Sequence, residues 1–328
     1  MKAFEYASPG TAELAQEALA GSPSACALSG GTDLLNRMKD YVTSPDRVVY
    51  LKGVDSLSGV KGGTIGAGTT LAKLLADKEL KATFPSLWQA ALEVGSVQIR
   101  NMATVGGNLL QRPRCWYYRA GHGLLAVKDG KSLVRAGDNR YHAIFQNDGD
   151  ALFVAPSSLA VPLVALDAKA VILGAGGKSR TIPVADLYRI PMSDAEGELT
   201  LAPGEVLTSV VLDPAAAKAG KNATYEARQK QSHDWPIVLA SVCVKMDGDK
   251  VASARIVLGG VAPVPYRCEA AEKAIVGKAI TAETAAAAGA AAIVGAKPLS
   301  MNAYKVAVTQ TVVKRALLTV IGDRSWEA

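Results

Sequence analysis

Long apolar runs, cysteine pairs, histidine clusters and runs of like charge are all scarce in this chain. Each scarcity removes a class of function. The longest apolar stretch, Ala285 to Ala296, stops at Lys297 and is too short to span a bilayer. The N-terminus, Met1-Lys2-Ala3-Phe4-Glu5-Tyr6, lacks the apolar core of a signal peptide. That suits a cytoplasmic protein, or one exported only with a signal-bearing partner. The 4 cysteines, Cys26, Cys115, Cys243 and Cys268, are widely spaced and form no C-x-x-C. This excludes a disulfide framework and a zinc site, and points to a reducing compartment. The 3 histidines, His122, His142 and His233, never fall three or four residues apart, so a histidine-rich metal site is not expected. No G-x-S-x-G elbow supports a serine hydrolase. The net charge of +6 is spread among interleaved acids and bases, without the basic run that nucleic acid binding calls for.

What remains is an ordinary globular composition. The 328 residues are 49% apolar and 20% charged, enough for two domains with a sizeable core. Aromatics are only 5%, while alanine and glycine are abundant, so small-residue packing is expected. Thr11 to Ala20 carries Leu14, Ala15, Ala18 and Leu19 at helical spacing. Ala25-Cys26-Ala27-Leu28 and Arg47-Val48-Val49-Tyr50-Leu51 read as strands. Together they form a small βαβ-like unit over about 1–55. A larger mixed-sheet unit follows over 56–218. It has a strand at Thr64 to Gly68, a helix from Leu71 capped by Thr69-Thr70, and a helix from Pro85 to Val94. Residues 111–150 look polar and irregular. A composition change at Asp213 to Lys218 marks a domain boundary near 214–222. The last segment, 219–328, combines strands at Val238 to Met246 and Ala254 to Gly259 with three Ala-rich helices. The class is therefore α+β.

Two segments could carry chemistry. In Leu28-Ser29-Gly30-Gly31-Thr32-Asp33-Leu34 a strand ends, two glycines follow, and Thr32 or Asp33 can cap a helix. Glycine admits unusual backbone angles and close approach, and exposed N–H groups suit a phosphate or pyrophosphate. The same pattern also describes an ordinary strand–turn–helix. The second segment, Ile99 to Asn108, ends in Thr104-Val105-Gly106-Gly107-Asn108 and reads as another glycine-rich turn. Two such turns in one chain favour a nucleotide more than either alone. Gly174-Ala175-Gly176-Gly177-Lys178-Ser179 is not a P-loop, because the required earlier glycine is Ile172; it reads as a hairpin turn. Gly66-Ala67-Gly68 lacks the third glycine of a dinucleotide fingerprint, that position being Leu71. Asp33, Asp138 and Asp234 are candidate ligand-contacting acids or, equally, cap and turn residues.

Ser29-Gly30-Gly31-Thr32-Asp33-Leu34, followed about 70 residues later by Thr104-Val105-Gly106-Gly107-Asn108, resembles the FAD-binding subunit of the xanthine dehydrogenase and molybdenum-containing aldehyde oxidoreductase family. Thr64 to Thr70 matches the strand and turn between those loops. The C-terminal third resembles the family's small α+β domain. The resemblance implies that two loops enclose the FAD pyrophosphate. The first runs from Ala27 through Leu28, Ser29, Gly30, Gly31, Thr32, Asp33 and Leu34 to Asn36. The second includes Ala103, Thr104, Gly106, Gly107, Asn108 and Leu110. The flavin ring is expected near the second loop and the segment after it. Leu201 and Arg228 align loosely with further FAD contacts, and Asp138 is taken as a candidate contact beside them. The segments Gln111 to Arg119 and Gly137 to Phe145 are similar to an insertion of the bacterial aldehyde oxidoreductase branch. Relatives use four cysteines there for a [4Fe–4S] cluster. Here only Cys115 lies between residues 27 and 242, so no cluster is expected in this chain.

The resemblance implies an oxidoreductase subunit with no catalytic acid or base of its own. Electrons would come from a [2Fe–2S] subunit fed by a molybdopterin subunit, within a heterotrimer or a dimer of heterotrimers, and pass through FAD to an external acceptor. Two other readings stay open. One is a stand-alone flavin oxidase or dehydrogenase. The other is a scaffold that has lost FAD.

Overall fold

The computed structural model describes residues 1–327. Its N-terminal unit opens with β1 (Glu5–Ala7), a strand that sequence pattern alone does not reveal. Thr11 caps the helix Ala12–Ala20 by accepting from the Leu14 N–H. Then come β2 (Cys26–Leu28), the helix Leu34–Lys39 and β3 (Arg47–Tyr50). All pairings are parallel, with β3 central. Strand side chains alternate between faces. Accordingly Val49 packs with the first helix, and Val48 with Leu34 and Met38 of the second. The βαβ-like expectation holds, extended by one strand.

The second unit runs through β4 (Val60–Lys61) and β5 (Thr64–Gly66), then five short helices. Residues 111–150 follow, with a small hairpin of β6 (Val127–Lys128) and β7 (Lys131–Ser132). The unit closes with β8 (Lys169–Leu173), β9 (Ser179–Pro183) and β10 (Val206–Val211). The five-strand sheet has the order β4-β5-β10-β8-β9. Every pair is antiparallel, which corrects the expected mixed sheet within the α+β class. The tight turns at Gly62-Gly63 and Ala175 to Gly177 make β4–β5 and β8–β9 antiparallel, since turns that short join only antiparallel neighbours. The second turn is the hairpin expected in place of a P-loop. Gly176 and Gly177 there adopt φ of 65° and 71°.

The third sheet is an antiparallel meander of β11 (Gly220–Ala227), β12 (Val238–Asp247), β13 (Lys250–Gly259) and β14 (Tyr266–Arg267). Three helices, Glu269–Ile275, Ala282–Ala292 and Tyr304–Val320, cover one face around Val242, Val244, Ile256 and Leu317. Residues 111–150 are tied to this region. Asn139 donates to Ser300 Oγ at 2.9 Å and accepts from the Met301 N–H at 2.9 Å. The buried Lys305 ammonium donates to the carbonyls of Tyr141, His142 and Gly260. Among the described residues no helix is long and apolar enough to cross a membrane.

Candidate functional site

The first loop leaves β2 at Leu28, whose side chain packs into the small core of Leu34, Met38 and Val48. Gly31 then takes φ of 75°, a conformation that disfavours any side chain. The N–H groups of Gly30, Gly31, Thr32 and Asp33 have no acceptor among the described residues. Asp33 occupies the N-cap position of the helix Leu34–Lys39, but its side chain makes no capping bond. The carboxylate instead turns toward a group of arginines. The capping role read for it is corrected accordingly.

The second loop is not a turn. Val105–Leu109 is a short helix whose N-cap, Thr104, accepts the Gly107 N–H at 3.1 Å. Adjacent glycines disfavour a helix by about 1 kcal/mol each, so local propensity reads as loop. Tertiary bonds reverse that preference, because the Val105 and Gly106 N–H groups donate to the carbonyls of Thr69 and Ala67. The two loops then clasp each other. Thr104 Oγ1 donates to Ser29 Oγ at 3.0 Å. A Cβ on Gly30 would lie 2.2 Å from the Met102 carbonyl oxygen, and one on Gly106 would lie 2.9 Å from the Ala67 Cβ. These two glycines therefore permit chain-to-chain contact. A Cβ on Gly107 would meet only Thr104 Oγ1, at 3.0 Å, and otherwise faces open space.

Asp33 is the electrostatic centre of the clasp. Its oxygens lie 2.7 Å from Arg119, 3.1 Å from Arg37 and 3.2 Å from Arg114. They also accept the Arg112 N–H at 3.1 Å. Burial alone would raise its pKa, but Arg114, Arg119 and Arg37 outweigh that and hold it below the usual carboxylate value. Arg112 pairs with the buried Glu198. Arg114 donates to Gln111 Oε1 at 2.9 Å and lies over the Trp235 ring at 4.6 Å, while its buried Nε has no partner. Burial draws Arg114 down to about 10, so it keeps its charge at neutral pH.

A groove passes through the clasp in three adjoining sections. The first, of about 130 Å³, lies between the loops. Ala27, Ser29, Gly30, Gly31, Thr32, Asp33 and Leu34 form one wall, and Thr104, Gly106, Gly107 and Leu110 the other. The second, of about 200 Å³, shares Thr32, Asp33 and Gly107 with the first and adds Ala103, Asn108 and Asp234. The third, of about 220 Å³, is more apolar and is walled by Trp116, Tyr141, Phe153 and Trp235. Asn108 is braced by accepting from Ser157 Oγ and the Leu159 N–H.

Four expected contact residues do not line this groove. Leu28 points into the core. Asp138 is on the outer surface, paired with Arg140, and only its carbonyl touches a wall residue, accepting from Trp116 Nε1 at 3.2 Å. Leu201 packs against the main core. Arg228 sits behind the second section, held by Glu93 and Glu226. Burial, ahead of the pull of Arg228, pushes Glu226 up to about 7. Arg114, Gln111 and Glu93 line the groove without being singled out by the motifs. The arginine-rich run Arg112 to Arg119 was the available signal. Cys115 contacts His142 Nε2 at 3.2 Å, and Cys26, Cys243 and Cys268 stand on other elements. Among the described residues no group of three or more His, Cys, Asp or Glu side chains is set to hold a metal ion.

The residues present fit FAD. Four N–H groups without protein acceptors face a groove that also carries a cationic wall, and a pyrophosphate needs both. Residues 2–214 match the family model for the FAD binding domain in molybdopterin dehydrogenase, and 223–320 that for the CO dehydrogenase flavoprotein C-terminal domain. The chain is 30% identical to the aldehyde oxidoreductase FAD-binding subunit PaoB of Escherichia coli, over 100% of both chains. It is 29% identical to the carbon monoxide dehydrogenase medium chain of Hydrogenophaga pseudoflava, over 88% of this chain and 87% of that one. A solved structure of carbon monoxide dehydrogenase from the same organism superposes with a TM-score of 0.74, at 27% identity over 98% of each chain. The chain belongs to the FAD-binding subunits of the molybdenum hydroxylase family, oxidoreductases that include the aldehyde, carbon monoxide and xanthine dehydrogenases.

Proposed function

We propose that this subunit is an electron relay that does not bind the organic substrate. Bound FAD supplies a carrier that accepts electrons from the [2Fe–2S] clusters of a partner subunit and releases them to an external acceptor. The observation that carries the reading is the groove section between the two glycine-rich loops, which offers backbone donors and guanidinium charge. The N–H groups of Gly30, Gly31, Thr32 and Asp33 bind the pyrophosphate. Gly107 leaves the space beside it open, and the Thr104–Ser29 bond keeps the two walls at a fixed separation. Asn108, locked by Ser157 and Leu159, and Leu110 position the flavin ring beside the second loop. The chain divides into an FAD-binding part, 1–218, and a C-terminal part, 219–328. It assembles with a [2Fe–2S] subunit and a molybdopterin-binding subunit as a heterotrimer or a dimer of heterotrimers.

The test is an absorbance spectrum with metal analysis, on the chain alone and on the complex purified with its native partners. Flavin bands near one per chain, with iron and molybdenum only in the complex, are expected. Aldehydes or N-heterocycles should bleach the flavin in the complex and leave it oxidised in the isolated chain. Bleaching in the isolated chain would make it a stand-alone flavin enzyme. Folded protein that never takes up flavin would make it a scaffold.

A further inference from the structure

We propose that Arg114, outside both glycine-rich loops, supplies the mobile positive charge that binds the FAD pyrophosphate. The inference rests on the groove holding FAD. A pyrophosphate diester carries two negative charges, and backbone N–H groups solvate charge without neutralising it. Around Asp33 four guanidiniums, of Arg37, Arg112, Arg114 and Arg119, face two carboxylates, of Asp33 and Glu198. Within this cluster two positive charges stay uncompensated, an excess that suits an anionic ligand.

Two of the four, Arg37 and Arg114, line the groove, and Arg114 is the less committed to other partners. Arg119 spends its donors on Asp33 at 2.7 Å and on the carbonyls of Pro113 and Arg112 at 2.8 and 2.9 Å. Arg112 is bound to Glu198. Arg37 is directed at Asp33 from within the same helical turn. Arg114 has a single hydrogen bond, to Gln111, and the longest of the contacts to Asp33, at 3.2 Å. Its buried Nε is unpartnered. Its guanidinium carbon lies over the Trp235 ring, 4.6 Å from the centroid, where the second and third groove sections meet. With one hydrogen bond made and its Nε unpartnered, the guanidinium keeps N–H groups free to donate in a fork, the geometry that matches phosphate oxygens. Glu93 and Asp234 line the same section; Arg228 pairs with the first, while the Lys230 and Trp235 N–H groups fix the second in place but leave its charge, which offsets part of the cluster's excess.

Apo protein would be titrated with FAD, ADP and riboflavin at several salt concentrations, for wild type, Arg114→Gln and Arg114→Lys. ADP presents the diphosphate without the flavin, and riboflavin the reverse. Arg114→Gln is expected to weaken FAD and ADP roughly 10- to 100-fold, the loss of one charge-assisted contact. It should also flatten the salt dependence, leave riboflavin unchanged, and leave the melting temperature near that of wild type. Arg114→Lys should recover part of the affinity and the salt slope. Unchanged FAD and ADP affinity in folded Arg114→Gln overturns the proposal. So does an equal loss for riboflavin, which would place Arg114 on the ring. If Arg114→Gln fails to fold, Arg114→Lys decides: its ADP affinity must fall while its riboflavin affinity holds. Wild type that binds no FAD would instead overturn the cofactor reading itself.

Discussion

The two walls of the groove are built from the same motif, a pair of glycines beside a hydroxyl, and they use it differently. In the first loop, Gly30 lets the Met102 carbonyl pack against the backbone, and Gly31 turns the chain at φ of 75°. In the second, Gly106 packs on Ala67, while Gly107 sits in a helix and leaves space in the groove. Their charges diverge as well. Asp33 on the first wall is surrounded by arginines, whereas Glu93 and Glu226 behind the second share one, Arg228. A glycine pair therefore does not by itself say which residue faces a ligand. One glycine of each pair serves close packing of the chain, Gly30 between the walls and Gly106 on Ala67.

The sharpest way to break this comparison is to put a side chain on each wall. Gly30→Val places carbon 2.2 Å from a backbone oxygen that cannot move without parting the loops. We expect a loss of at least about 3 kcal/mol of stability, the upper range for overpacking. Chemical denaturation of the apo protein would measure it. Gly107→Val meets only a hydroxyl, so the chain should stay folded with stability within about 1–2 kcal/mol. FAD affinity should fall by two orders of magnitude or more, since the side chain fills the space the cofactor needs. Yellow, fully loaded Gly107→Val protein would show that this glycine does not border the cofactor.

Much of this was readable beforehand, for identifiable reasons. The strand–turn–helix from Ala25 to Lys39 and the hairpin at Gly174 to Lys178 are governed by local turn chemistry, and both appear in the structure. The three Ala-rich C-terminal helices appear where the sequence places them, the middle one capped by Thr281. Three features were not readable. β1 is only 3 residues long and gains its identity from pairing with β3. The helix at Val105–Leu109 opposes its own glycine content and exists through bonds to Thr69 and Ala67. The arginine cluster joins residues 33 and 112–119, and no spacing rule connects segments so distant. The loosely aligned contacts failed most often for the same reason. Leu201 and Arg228 depended on register across long intervening segments, and neither lines the groove.

Replacing Asp33 with Asn tests whether the first wall is an electrostatic structure. The change leaves buried guanidiniums without their acceptor, at a cost of about 3–5 kcal/mol at pH 7. The sign with pH follows from the lowered pKa. A carboxylate held below its unfolded value contributes stability that is complete above that value, 3.8, and is lost as pH falls through the folded one. The gap between wild type and Asp33→Asn should therefore be constant from pH 7 to about pH 5. It should close on further acidification, as followed by urea unfolding. A gap that persists unchanged at pH 2–3 would assign the effect to shape rather than charge.

The second wall should respond in the opposite direction, and more weakly. Glu226 is nearly buried and lies 3.1 Å from Arg228 Nε, yet neither of its oxygens is aligned for a hydrogen bond. Arg228 is shared with Glu93, so burial dominates and the carboxyl is pushed up to about 7. An acid whose folded pKa is raised binds protons more readily in the native state. Stability therefore falls as pH rises from 4.5 to about 7, by at most about 1.4 kcal/mol per pH unit. Glu226→Gln removes the charge and keeps the shape, so it should erase that decline. The variant should match wild type near pH 4–5 and exceed it at pH 8. FAD affinity should stay the same, because Glu226 lies behind Arg228 and outside the groove. If Glu226→Gln is instead less stable at pH 8, the carboxylate is a true partner of Arg228. The two walls would then share one electrostatic design.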